Sequence, residues 1–256
     1  MWVHAPPRCS PGAARAASVR GDVGAAVNLF GRANALAPES DRFRKLLLVE
    51  LGTVLYQTGE LARARGVLDE AVVLARQTGD AHVEWRARIL QSFLRMRLEP
   101  EGAGESALAE AELAMRALAA DDDEARGRVW HLVAVARGWR AELDEQARAA
   151  EEGLRHARRA RNPLLEAELL RVSVPALVNG PVPVQEGLRR VEAMLERSDD
   201  VQAAGNIALH LLGHLRARVG DFDGAREAFS TWRQHLQELG NELAYAASAM
   251  CIWDLY

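Results

Sequence analysis

Two histidines at helical spacing are the first residues of this sequence whose types could do chemistry. His210 and His214 lie four residues apart, so a helix would place both imidazoles on one face. Such a pair can bind a transition metal, but neither a third ligand at recognisable spacing nor the glutamate of an HExxH motif accompanies it. We therefore predict no metal site, and we interpret the two residues as histidines that make ordinary polar contacts in a binding groove.

A basic segment, HARRAR at residues 156–161, is the second candidate. Its arginines, together with Arg155 before them, could bind phosphate or nucleic acid. Cations near the end of a helix also complement the negative end of the helix dipole. We favour a solvated helix face, with a phosphate-binding or nucleic-acid-binding patch as the alternative.

Tryptophans can stack on ligands, and five of them fall within predicted helices. Trp130 and Trp232 lie in or beside apolar stripes, which indicates core positions. Trp139 lies near the end of its helix and is the candidate for a ligand-binding groove.

Motifs for catalysis or cofactor binding are absent from the sequence. Lys45 is the only lysine and does not follow a glycine, so the phosphate-binding motif GxxxxGK[ST] is missing, and no dinucleotide fingerprint occurs. The two cysteines, Cys9 and Cys251, lie near opposite ends and have neither disulfide nor metal-ligand spacing. We predict a non-catalytic chain without a cofactor.

The elements that must position these residues are best defined between Leu46 and Arg76. Apolar or small residues recur there at helical spacing on either side of Thr58-Gly59-Glu60, which predicts two helices joined by a glycine turn. Gly52 and Ala64 are twelve residues apart and are predicted to lie where the two helices touch. This is the pattern of a tetratricopeptide repeat.

Copies of this pattern occur elsewhere, as a repeat that cannot bury its own apolar face requires. Gly213 and Ala225 are again twelve residues apart, and Phe229 follows at core spacing. Near the start, Asp22 and Phe30 belong to the second half of another repeat. The sequence thus predicts an array of helical hairpins.

No strand pattern appears, and the fold class predicted is all-α. Hairpin turns near residues 21, 59, 101, 141, 180 and 220 give a period of about 40 residues, longer than the 34 of the basic repeat. We expect a tetratricopeptide-like right-handed superhelix of about six hairpins over residues 13–256, with a concave groove lined by the first helices. Residues 1–12 are expected to be disordered or remnant sequence, and the array to be a piece of a longer one.

Charge and hydropathy exclude some partners. The net charge is −4, which argues against nucleic acid or an anionic membrane as a partner. No run approaches the roughly 18 apolar residues of a membrane span, and the N-terminus lacks the apolar core of a secretory signal. We predict a cytoplasmic protein.

Part of the chain resembles a particular group of signalling proteins. GDVGAAVNLFGRANALAP, LGTVLYQTGELARARGVLDEAVVLA, EAELL at 166–170 and GPVPVQEG at 180–187 are similar to the C-terminal region of bacterial class III adenylate/guanylate cyclase proteins with a central AAA-type, STAND-like ATPase. The resemblance covers residues 20 to about 239. It implies that a tetratricopeptide array senses a ligand and regulates catalytic domains. No cyclase or ATPase motif residue is present in this chain.

These observations lead to a protein-interaction or ligand-sensing scaffold as the expected function. The partner expected in the groove is an extended or helical peptide that carries acidic residues, with a small-molecule effector as the alternative. A regulatory part of a nucleotide cyclase/ATPase is the second hypothesis, and a module of a transcriptional regulator is the third. The predicted groove residues are Leu46, Val49, Thr53, Tyr56, Gln57, Trp139, Ile207, His210, His214 and Arg218.

Overall fold

A computed structural model of the chain describes residues 11–20, 22–37, 43–179, 183–197, 202–239, 245, 246, 248, 249 and 251. The described part contains helices and turns and no strand, so the predicted all-α class is confirmed. The helices are α1 Pro11–Arg20, α2 Val23–Leu36, α3 Arg44–Gln57, α4 Leu61–Gln77, α5 Ala81–Leu98, α6 Ala103–Ala117, α7 Asp123–Trp139, α8 Leu143–Arg159, α9 Pro163–Asn179, α10 Val184–Arg197, α11 Gln202–Arg218 and α12 Phe222–Glu238. None of these helices is long and apolar enough to cross a membrane.

The predicted helices correspond to the observed ones. The spacing of apolar residues and the turn signals predict helices at about 81–98 and at 184–197, and these are the bounds of α5 and α10. The other helices begin or end within a few residues of the bounds that the same signals predict. The predicted last helix, 241–256, and the predicted turn at Gly180 lie largely outside the described residues. The same holds for most of the N-terminal segment predicted to be disordered or remnant.

Five of the turns between helices follow one backbone pattern. A residue with a left-handed backbone ends one helix, and the residue after it donates its N–H to a carbonyl five positions back. The same residue then accepts the first hydrogen bond of the next helix. The left-handed residues are Gly59, Gly79, Ala141, Arg161 and Gly220, and those that follow are Glu60, Asp80, Glu142, Asn162 and Asp221. Only three residues therefore lie between the two helices at each of these turns.

Side chains of these shared residues complete several helix starts. Asn162 Oδ1 accepts a hydrogen bond from the Leu165 amide at 3.0 Å, and Asp221 Oδ1 accepts one from the Gly224 amide at 3.0 Å. Asp122 Oδ1 caps α7 by accepting from the Ala125 amide at 3.0 Å. In the sequence, the acidic run at 121–124 favours a helix start over a metal site. The structure has α7 begin within this run, where the Asp122 side chain satisfies an unpaired N–H group.

The chain divides into two compact units, Met1–Leu94 and Arg95–Tyr256. In the first unit α1 packs on α2, α2 on α3, and α3 on α4. Phe30, Leu48, Leu55 and Leu68 are almost fully buried in its core, which Leu94 of α5 joins.

In the second unit the helices form two layers. The first helices of successive hairpins contact one another, α7 with α9 and α9 with α11. The other layer consists of α6, α8, α10 and α12, each of which packs on at least one helix of the first layer. The core between them includes Leu154, Leu165, Leu169, Leu211 and Leu215.

Glycines allow helices to approach closely, and three of these contacts share one spacing along the chain. A Cβ at Gly52 would lie 2.6 Å from Leu68, and one at Gly213 would lie 2.5 Å from Phe229. Gly153 has the same relation to Leu169, at 2.5 Å. The predicted partners Ala64 and Ala225 are fully buried. The side chains that contact the two glycines are those of Leu68 and Phe229, four residues after each alanine.

Candidate functional site

The predicted groove residues of α3 differ widely in exposure. Val49 is 1% exposed and belongs to the core of the first unit, so it does not line an open surface. Leu46 and Tyr56 are half-buried and pack against the same core, and Thr53 donates a hydrogen bond to the Val49 carbonyl at 2.9 Å. Gln57 is exposed. The sequence period placed these residues on one helix, but it could not tell which of them the neighbouring helices cover.

The predicted groove residues of the second unit lie on α7 and α11. Trp139 is 52% exposed near the end of α7, and Arg218 is exposed at the end of α11. Ile207, His210 and His214 are half-buried. Within this unit the structure brings the two histidines together but gives no contact between Trp139 and either of them.

His210 and His214 lie among aromatic rings. The His214 ring centroid is 5.1 Å from that of Phe229, edge to face, and the His210 centroid is 4.5 Å from that of Trp232. The Nε2 atoms of the two histidines are 3.1 Å apart. Burial lowers the pKa of His210 to about 4, and the charges of His214 and Arg171 act in the same direction. His210 is therefore a neutral imidazole at neutral pH.

Cys251 completes this group, although it is 37 residues from His214 and 41 from His210. Its Sγ lies 3.7 Å from His210 Nε2 and 3.8 Å from His214 Nε2. Sequence spacing gave no sign of this contact, because it depends on how the residues after α12 pack against α11.

A second polar group spans α7, α9 and α11, and we call it the α7–α9–α11 face; it consists of Arg128, His131, Glu168, Arg171 and His210. His131 Nδ1 is 3.8 Å from Glu168 Oε2. Burial lowers the pKa of His131 to about 3, and the positive charges of Arg171 and Arg128 contribute. Burial raises the pKa of Glu168, against the opposing influence of the same two arginines.

Arg171 is the central cation of this face. Its charge acts on His131, Glu168 and His210, which lie on three different helices. It is exposed, and within the described residues it forms no salt bridge. The sequence offered one signal for this face, since Glu168 and Arg171 are three residues apart on α9 and so share one side of the helix.

The basic segment at the end of α8 is paired with acids, as expected for a solvated helix face. Asp123 Oδ1 accepts hydrogen bonds from Arg159 Nε at 2.9 Å and contacts His156 Nδ1 at 2.6 Å. These hydrogen bonds, that of His156 first, lower the pKa of Asp123. Arg158 donates to Glu166 at 3.0 Å.

A cleft of about 630 Å³ lies beside this segment, lined by residues of α8, α9, α10 and the turn after α8. Arg190 donates hydrogen bonds to Glu186, at 2.8 Å, and to Glu151. Arg161 also lines the cleft, with a left-handed φ of 52° where three equivalent turns have glycine. Arg161 forms no salt bridge with the described residues, so it is the guanidinium group that the cleft can offer to an anion.

Comparison with protein-family models and with curated proteins returned no match. The functional assignment below is therefore argued from the packing and charges of the chain itself.

Proposed function

We propose that this chain is a non-catalytic scaffold that binds a protein or peptide, built as a tetratricopeptide-like right-handed superhelix of about six hairpins. The observation that supports it most is the α7–α9–α11 face, where side chains from three consecutive first helices meet. In a tetratricopeptide superhelix such helices line the concave surface. The three-residue turns and the close glycine contacts between helices support the same architecture.

The shape can be tested by small-angle X-ray scattering. A compact domain of 256 residues has a radius of gyration of about 18 Å. An open superhelix predicts a radius clearly above this value at every concentration measured. A value of about 18 Å would contradict an extended groove.

The chemistry of the α7–α9–α11 face suits an acidic peptide. The face holds two guanidinium groups, Arg128 and Arg171, and one carboxyl group, that of Glu168, whose pKa burial raises and which is thereby shifted toward the neutral acid. Arg128 already pairs with Glu124 at 3.0 Å. Arg171 is therefore the cation best placed to pair with a carboxylate of the ligand.

A binding experiment can test this directly. Matched sets of acidic and basic fluorescent peptides would be titrated against the chain, followed by fluorescence anisotropy. We expect acidic peptides to bind and Arg171→Glu to weaken them by at least about tenfold, a loss that one charge-assisted contact can account for. Arg155→Glu is the matched control, because Arg155 is an exposed arginine on α8 that pairs with Glu152. Equal losses in both variants, or no preference for acidic peptides, would contradict the proposed face.

A small anionic effector in the cleft is the second candidate function. The left-handed backbone of Arg161 favours this idea, since an arginine is kept where glycine would be less strained. Arg161→Gly removes the cation and relieves the backbone, and Ala141→Gly relieves a matched turn without changing the cleft. If the cleft binds anions, pyrophosphate raises the melting temperature of the wild type and of Ala141→Gly, but not of Arg161→Gly. A shift in all three proteins, or in none, would reject it.

The resemblance to cyclase/ATPase proteins extends the main proposal to regulation of catalytic domains in a longer polypeptide, and a transcriptional regulator is the weaker alternative. Walker and cyclase motifs in the reading frame upstream of Met1 would support the first. Salt-dependent DNA binding by the chain would support the second.

A further inference from the structure

The His210, His214 and Cys251 side chains converge on one point, although the sequence predicted no metal site. Their donor atoms form a triangle with sides of 3.1, 3.7 and 3.8 Å. All three residues are half-buried, so the group is reachable from solvent and yet partly dehydrated. Two imidazoles and a thiolate are the ligand types that Zn²⁺ prefers.

The size of the triangle is that of a tetrahedral metal site. With metal–nitrogen bonds of about 2.05 Å and a metal–sulfur bond of about 2.3 Å, the three sides correspond to angles of roughly 98°, 116° and 122° at the metal. These values scatter around the tetrahedral angle. A single ion can therefore reach all three donors without movement of the backbone, and a fourth position is left for water or another donor.

The two histidine rings are held in this orientation by the core. Gly213 lies between them in α11, and its missing Cβ allows the Phe229 ring to lie against the helix. Phe229 and Trp232 then contact the rings of His214 and His210, respectively. Since the rings are fixed by packing, little side-chain entropy would be lost when a metal binds.

The position of Cys251 is also supported by neighbouring contacts. Ser248 is fully buried, and the Arg233 guanidinium lies 4.5 Å from the Tyr245 ring centroid. The contact with Arg233 places Tyr245 beside α12. The cysteine is thus placed by packing of its own segment as well as by the histidines.

A cation at the centre of this triangle can interact with a lone pair of each of the three donor atoms at once.

We propose that His210 Nε2, His214 Nε2 and the Cys251 thiolate form a Zn²⁺ site that ties the segment after α12 to α11. This site does not depend on the proposed peptide-binding function. It joins residues far apart in the chain, so metal binding stabilises the folded second unit, because the unfolded chain has no preformed site.

The test uses the full chain, stripped of metal and kept reduced. Isothermal titration with Zn²⁺ is expected to give one site per chain. Titration with Co²⁺ is expected to give a thiolate-to-cobalt charge-transfer band and the intense visible bands of tetrahedral cobalt. Cys251→Ser and His214→Ala should each lose the cobalt spectrum and weaken Zn²⁺ binding by at least about 100-fold, since even changes behind the ligands cost 10- to 100-fold.

Two control variants make the result specific. Cys9→Ser removes the only other thiol of the chain, and His82→Gln removes a histidine of the first unit. Both should bind Zn²⁺ like the wild type and keep the cobalt spectrum. Circular dichroism would verify that every variant is helical, and Cys251→Ser changes the smallest number of atoms. Octahedral cobalt without a thiolate band, loss of the band in Cys9→Ser, or unchanged binding by Cys251→Ser would each overturn the proposed site.

Discussion

Substitution of Gly213 by alanine should destabilise the chain, although alanine is the better helix former. Gly213 lies within α11, where a change from glycine to alanine normally stabilises by about 1 kcal/mol. A Cβ there would lie 2.5 Å from Cε1 of Phe229, whereas ordinary contacts begin near 3.4 Å. The ring would have to move by almost an ångström.

The surroundings of Phe229 decide the size of this effect. Its side chain is 1% exposed, and its ring centroid is 5.1 Å from that of His214 and 6.5 Å from that of Trp232. Overpacking in such a site costs about 1–3 kcal/mol, so the net loss for Gly213→Ala is up to about 2 kcal/mol. Phe229→Ala alone should cost about 3–5 kcal/mol through the cavity it leaves.

In the Phe229→Ala background the sign should reverse, since no ring remains to clash with the new methyl group. Gly213→Ala should then stabilise by about 1 kcal/mol, and the coupling energy of the double-mutant cycle should be about 1–3 kcal/mol. Urea denaturation followed by circular dichroism measures all four proteins. Gly66→Ala is the control, because Gly66 is exposed on α4 with nothing within 4 Å of a new Cβ. A gain from Gly213→Ala in both backgrounds, or an unchanged midpoint for Phe229→Ala, would refute the packing of α12 on α11.

Three further outcomes are expected. The pKa of His131 is lowered to about 3 in the folded chain, so the unfolded chain binds the extra proton and stability falls as pH drops below about 6.5. The difference in free energy of unfolding between wild type and His131→Gln, measured by urea denaturation, should therefore change by up to about 2 kcal/mol between pH 7 and 5, and a pH-independent difference would contradict a buried neutral histidine. Asp122→Ala should cost about 0.5–2 kcal/mol by removing the α7 cap, with Asp122→Asn as the tolerated control in thermal unfolding. Ala141→Gly should relieve a left-handed alanine and leave stability equal or higher by up to about 1 kcal/mol, and a clear loss of melting temperature would show that the turn is not strained.

Much of the fold could be predicted from the sequence because the signals for it are local. Thr58-Gly59-Glu60, the acidic run at 121–124 and Asn162-Pro163 mark helix ends through caps and backbone geometry within a few residues. The predicted helix at about 81–98 agrees with α5 for the same reason. The residue that contacts each glycine was less predictable. Leu68, and not Ala64, contacts Gly52, because the contact depends on the direction in which the side chain leaves its helix.

The candidate sites depend on contacts between distant residues, and these are not visible in spacing. Cys251 is 41 residues from His210, so a search for metal motifs along the sequence does not find it. Val49 has the helical spacing of a groove residue but is buried, because the period locates a face and not what covers it. The α7–α9–α11 face likewise forms only because these three helices are neighbours in the fold, which the spacing of its residues along the chain does not show.

The turns have a consequence for how such a chain can change its length in evolution. At five turns a single residue is hydrogen-bonded both to the end of one helix and to the start of the next, which fixes the length of the turn. These residues are Glu60, Asp80, Glu142, Asn162 and Asp221. One residue inserted inside a helix rotates everything after it by about 100° relative to the buried stripe. A turn could accept an inserted residue only by losing these backbone hydrogen bonds. Gain or loss of a whole helical hairpin preserves both the turns and the buried apolar face of each helix. Relatives of this chain should therefore differ in length by complete hairpins, with each hairpin inherited as one unit.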